Sequence, residues 1–240
     1  MTSSSGLSRR VPPGAGPVPP DSRRVPPDSG RVPPDSGRVP PAPSGELGPL
    51  ARLLAWGAGR VTGAGGSRIF ATLGRHRRLF RAWLPFAGTM LFRTRLPRRD
   101  VELVVLRTAC NCSSPYEWAQ HAWLARKSGL SAAAAGAVPD WRARRNDFSD
   151  RQLALLAATD ELHDRRIVSE ATWGRLTGLL DERQLIELCM LVGHYEMVAM
   201  TLNSLGVEPE PEALAALDSL DGGARETAER LSSGLRPSSP

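Results

Sequence analysis

Lysine occurs once in the 240 residues, at Lys127, and the chain has two tyrosines, four histidines and three cysteines. So few thiols exclude a disulfide framework, because three cannot pair completely. The opening MTSSSGLSRRVPPGAG has none of the apolar core that a secretory signal needs. Cys110, Cys112 and Cys189 are therefore expected as free thiols in a cytoplasmic protein. No uninterrupted apolar run reaches the roughly 18 residues of a spanning helix, so no membrane partner is expected. The net charge of +6 comes almost entirely from arginine, which reads as codon usage rather than a selected basic function. Nine arginines and no acidic residue lie between Arg68 and Asp100, as a phosphate-binding surface would require. LFRAWLPF within that stretch reads instead as an amphipathic core helix with a solvated face. Without a DNA- or RNA-binding motif, no nucleic-acid partner is expected.

What the chain does contain is enough apolar residue, 41%, for one sizeable core. A seven-residue repeat (VPPGAGP, VPPDSRR, VPPDSGR) with valine at 11, 18, 25, 32 and 39 fills the start. Its proline pairs forbid helix and its apolar content is sparse, so residues 1–44 are expected to form a disordered arm. From 45 to 208 the periodicity is helical throughout, and the expected fold is an all-α helical bundle. Pro85 should kink or divide the helix of residues 67–92, and Pro97 suits a first helical turn. Gly129 and Gly206 close helices, and Ser149 with Gln152 opens one as a capping box. Residues 209–240 turn polar and rich in Gly, Ser and Pro, as in a largely flexible tail, with at most a weak helix in PEALAALDSL.

The chemistry concentrates in CNCSSPYEWAQH, residues 110–121. Residues two apart on a helix point about 200° away from each other, so Cys110 and Cys112 cannot readily form a disulfide or chelate together. Thiol redox couples use C-x-x-C spacing instead. A zinc site from Cys112, Glu117 and His121 would lack a recognised spacing and a fourth ligand, so no metal is expected. Glu117 and His121, four apart, share one helix face, and a carboxylate beside imidazole suits proton transfer near neutral pH. Two plainer readings stand beside this one. Ser114, Pro115 and Glu117 also spell a capping box, and His121 also fits a hydrogen-bonded core residue. His76 and His163 read as surface or helix-end residues.

ELVVLRTACNCSSPYEWAQHAWLARKSGLS, with LLAATDELHDRRIVSEATWGRL and LIELCMLVGHYEMVAMTLNSLGV, resembles the carboxymuconolactone decarboxylase and alkylhydroperoxidase D-like superfamily. The likeness spans about residues 65–208 and lies nearest the branch with YEW-x-x-H. It implies an all-α fold around a helical hairpin and homo-oligomers such as trimers or hexamers. The peroxidase branch carries E-x11-C-x2-C-x3-H. Aligning His121 with its histidine puts Glu102 on the glutamate, Ser114 on the first cysteine and Glu117 on the second. Both sulfurs are gone, so the resemblance implies no thiol peroxidase activity. The decarboxylase branch implies cofactor-free acid/base chemistry on a small carboxylated or lactone-like metabolite. His121, Glu117 and Glu102 would be catalytic, and Arg107 or Arg126 would hold the substrate carboxylate. Glu102 also suits an ion pair with Arg98 or Arg99 on its own first turn. His194 and Tyr195 would line the same pocket, or else serve the core or an oligomer interface. The alternative from another class is a non-catalytic oligomeric scaffold or small-molecule-binding protein.

Overall fold

The computed structural model describes residues 37–43, 46, 48–49, 53, 67–220 and 223–234. Ten α-helices and one short 3-10 turn occur among them, with no strand, so the fold is all-α. The helices are α1 (Arg68–Leu73), α2 (Arg77–Phe92), α3 (Arg98–Asn111), α4 (Pro115–Lys127) and α5 (Ala132–Ala137). They continue as α6 (Asp150–Arg165), α7 (Glu170–Thr177), α8 (Glu182–Leu205), α9 (Pro211–Asp218) and α10 (Ala224–Gly234). Most of the repeat arm and the helix expected from residue 45 lie outside the described residues.

Helix α3 is the centre of the bundle, packed by α4, α6 and α8. Its run from Asp100 to Leu106 is buried without a break, because neighbours cover both sides. Val101, Val104 and Val105 join Leu155, Leu188 and Leu191 of α6 and α8 in one apolar cluster. Leu103 and Leu106 face the other way, into a second cluster with Trp118 and Ala122 of α4. A helix covered this way must pair every charge it carries. Asp100 accordingly takes Arg151 Nε at 2.6 Å.

The capping signals work as expected at α6, where Ser149 and Gln152 form the reciprocal box, and at Gly206, which ends α8 at φ +68. Pro85 does not divide the chain into separate helices. The break falls at Gly74–His76, and α2 runs through Pro85 to Phe92. His76 causes this, because its imidazole accepts the Leu79 N–H and starts a new helix.

Two segments are more ordered than their composition suggests. Within the expected arm, the described residues 37–43 lie against the bundle. Val39 N–H donates to Leu205 O at 3.1 Å, and Ala42 N–H to Ala71 O at 3.2 Å. The tail expected from residue 209 forms α9 and α10 instead, and both pack on α4. Leu217, Ala228 and Leu231 are buried there, and Trp118 Nε1 donates to Ala224 O at 2.9 Å. Ala213, Leu217, Ala224, Ala228 and Leu231 join the apolar cluster that holds Trp118 and Ala122 of α4, which is why the tail's polar average misleads.

Helix α8 has 24 residues and a window of mean hydropathy 1.4, long and apolar enough by length and composition to cross a membrane. The expectation of no span rested on the absence of an uninterrupted apolar run, a stricter test. Half of that window is buried against other helices, as in a core helix.

Candidate active site

The turn between α3 and α4 carries the motif that concentrates the chemistry. Ser114 caps α4 by accepting the Glu117 N–H, and Pro115 supplies the first helical position. Only this half of the capping box forms. Neither carboxyl oxygen of Glu117 has a hydrogen-bond partner, although the residue is only 2% exposed. Burial holds its pKa well above the ordinary carboxyl value, which favours the neutral acid over the carboxylate.

One turn further along α4, His121 meets Glu102 of α3, its Nδ1 lying 2.8 Å from Oε2. Glu102 is fully buried and its other oxygen pairs with Arg98 Nη2 at 2.5 Å. Glu102 therefore contacts His121 and pairs with Arg98 at once. With Nδ1 engaged by the carboxylate, Nε2 is the ring nitrogen left for the cavity that His121 lines.

That cavity, of about 490 Å³, is bounded by α1, α2, α4 and α8. Its walls include Trp83, Leu84, Leu91, Val198 and Leu202, and its polar groups include Glu117, His121, Gln120, Tyr116, His194 and Tyr195. His194 and Tyr195 are thus cavity residues. His194 stacks on Trp83 with ring centroids 6.0 Å apart and meets Phe86 edge-on at 5.0 Å. Its Nδ1 has no partner, and burial lowers its pKa from 6.5 to about 4, leaving a neutral ring. Tyr195 bridges the two histidines edge-on, at 5.2 Å from His194 and 5.1 Å from His121.

The two arginines expected to hold a substrate carboxylate are placed elsewhere. Arg107 makes a bidentate pair with Asp160 at 2.5 and 3.2 Å and also binds the carbonyls of Val138 and Pro139. Arg126 donates to Leu130 O at 2.8 Å, near the end of its own helix. Neither lines the cavity; among the described residues Arg81 is the one arginine that does. The cysteines of CNC are also remote from an activated state. Burial pushes both Cys110 and Cys112 up to about 12.

Several contributors escaped sequence reasoning. Glu210, in the tail, takes the Tyr116 hydroxyl at 3.0 Å, Gln120 Nε2 at 2.5 Å and the Arg68 N–H at 2.6 Å. It thereby ties α1, α4 and the tail together behind the cavity. Tyr116 stands inside YEW and was open to detection from that motif. Trp83 and Glu210 had no local signal, since only packing brings them to the site.

Residues 77–161 match the family model described as Carboxymuconolactone decarboxylase family. No protein of curated function matches the chain. Among solved structures, an uncharacterized peroxidase-related protein with an alkylhydroperoxidase AhpD core, from Ralstonia eutropha JMP134, is similar with a TM-score of 0.66 at 18% identity. The match covers 74% of this chain and 94% of that one. A peroxidase-related protein from Silicibacter sp. TM1040 gives 0.66 at 12% identity, over 77% and 97% of the two chains. The debrominase Bmp8, as a variant in complex with 2,3,4-tribromopyrrole, gives 0.65 at 13%, over 75% and 96%. At these identities the likeness establishes a shared fold.

Proposed function

We propose an acid/base enzyme without cofactor, a reading that starts from the match of residues 77–161 to the carboxymuconolactone decarboxylase family model and from the fold shared with an alkylhydroperoxidase AhpD core. Its substrate is a small, largely apolar acid or lactone-like metabolite, and its reaction is decarboxylation or a closely related proton transfer. The observation that carries this reading is Glu117, a buried carboxyl with both oxygens unpartnered in an apolar cavity one helical turn from His121.

A neutral acid held without a competing hydrogen bond keeps its proton for a substrate. The apolar walls also disfavour a localised carboxylate relative to a delocalised carbanion. Loss of carbon dioxide breaks the carbon–carbon bond and leaves its electron pair on the substrate carbon. Glu117 delivers its proton to that carbon. His121, oriented by Glu102 and Arg98, returns a proton to Glu117 from solvent. Ser114 and Glu117 occupy the positions where the peroxidase pattern has its two cysteines, which supports the absence of a dithiol peroxidase cycle.

The test is a thermal-shift screen of small acids and lactones, followed by a carbon-dioxide or product assay on the stabilising compounds. Glu117→Gln and His121→Asn should each lower kcat/KM by about 10²–10⁴-fold while ligand-induced stabilisation persists. Wild-type activity should decline as rising pH ionises Glu117. The apolar cavity also suits a binding protein. Stabilisation without turnover of any bound compound would select that second reading.

A further inference from the structure

Outside the acid/base site, three donor groups from three elements converge beside the end of α3. The Cys112 thiol, the His163 imidazole of α6 and the Glu196 carboxylate of α8 each bring one ligand atom within 4.8 Å of the other two. Cys112 Sγ lies 3.9 Å from His163 Nδ1, which is 2.8 Å from Glu196 Oε1. We propose that Cys112, His163 and Glu196 bind one divalent ion of borderline softness, zinc being the type, with water in the fourth position.

Two chemical uses of such a trio must be separated. A nucleophilic relay needs the thiol on one imidazole nitrogen and the carboxylate on the other. Here Sγ and Oε1 both face Nδ1, which defeats a relay and suits convergence on one ion. Thiolate, imidazole and carboxylate together are a zinc-type donor set, and three protein ligands leave one position open. Bonds of about 2.0–2.3 Å around a tetrahedral ion require donor atoms to shift by about 1 Å or less from these positions.

The surroundings hold the ligands in place without closing the site. Asn203 Nδ2 donates to the Cys112 carbonyl at 2.9 Å, fixing the backbone that carries the thiol. Arg166 Nη1 lies 3.0 Å from Glu196 Oε2 and 3.3 Å from Oε1, so it orients the carboxylate as an outer-shell partner does. Its positive charge opposes a cation, but the side chain is 70% exposed and can withdraw into solvent. All three ligands are half-buried, which permits entry from water. Binding displaces the thiol proton to solvent and links α3, α6 and α8 through one ion.

The experiment titrates metal-stripped, full-length protein with Co²⁺ without oxygen or thiol reductant. The expected result is a thiolate-to-cobalt absorption band that saturates at one equivalent and is bleached by Zn²⁺. Cys112→Ser should lose that band and His163→Ala should lose tight binding, while a Cys110→Ser, Cys189→Ser double variant keeps both. Arg166→Ala should bind more tightly than wild type. Zn²⁺ should raise the melting temperature of wild type and not of Cys112→Ser. No thiolate band at one equivalent in wild type would overturn the proposal, whatever the variants do. So would a band that survives Cys112→Ser and disappears in the double variant.

Discussion

Glu117 and His194 are two buried titratable groups in one cavity that respond to pH in opposite directions. Glu117 binds its proton more tightly in the folded state than in the unfolded chain. Its acid form is therefore accommodated below the ordinary value of 4.5, and its contribution to stability falls as pH rises above that value. His194 has a folded pKa of about 4 against 6.5 unfolded. Its contribution is fully present above 6.5 and is lost as pH falls toward 4, a change of up to about 3 kcal/mol. Between 4.5 and 6.5 the two slopes oppose each other, so the wild-type curve alone conceals both. Urea denaturation across pH 4 to 8 separates them. Relative to wild type, Glu117→Gln should gain stability progressively as pH rises. His194→Phe should gain it as pH falls. Parallel curves for all three proteins would mean that neither group is desolvated in solution.

At the scale of elements, the boundary of the N-terminal arm is a question of backbone contact. Gly37 passes so close to the end of α8 that a Cβ there would lie 1.9 Å from Gly206 O. Gly206 itself needs its positive φ to end α8, so neither strand of this crossing can yield cheaply. Deleting residues 1–36 should leave the melting temperature nearly unchanged. Extending the deletion through 43 should lower it, because Val39 and Ala42 lose their hydrogen bonds to Leu205 and Ala71. Gly37→Ala should fall between wild type and the longer deletion. Calorimetry of the four proteins decides the matter, and equal melting temperatures would show that the 37–43 segment contributes nothing to stability.

At the scale of the whole molecule, α8 presents Ile186, Met190, Met197 and Met200 as exposed side chains. Their spacing of four, seven and three residues sets them along one helix face, opposite the face that enters the core. The family resemblance leads to the expectation of a trimer or hexamer, and this stripe is the face we expect it to use. Light scattering should then give a mass several times that of one chain, and Met190→Arg with Met197→Arg should reduce it. A monomeric wild type would end the expectation; an oligomer indifferent to both substitutions would move the interface elsewhere.

Several local features were legible within a single element. Ser149 with Gln152, Gly206 and the shared face of Glu117 and His121 follow from helical geometry within a few residues, and so does the all-α class. The E-x11 spacing, read through the resemblance, also anticipated that Glu102 and His121 would come together. Only tertiary packing decided the rest. It sent Arg107 to Asp160 rather than to the cavity, and it turned the polar tail into a layer over α4. It also left Glu117 without a partner and brought Cys112 to His163 and Glu196, residues 51 and 84 positions away. Periodicity reports which way a side chain points from its own axis; what it meets there depends on how the axes cross, and that is set by the summed burial of every helix at once.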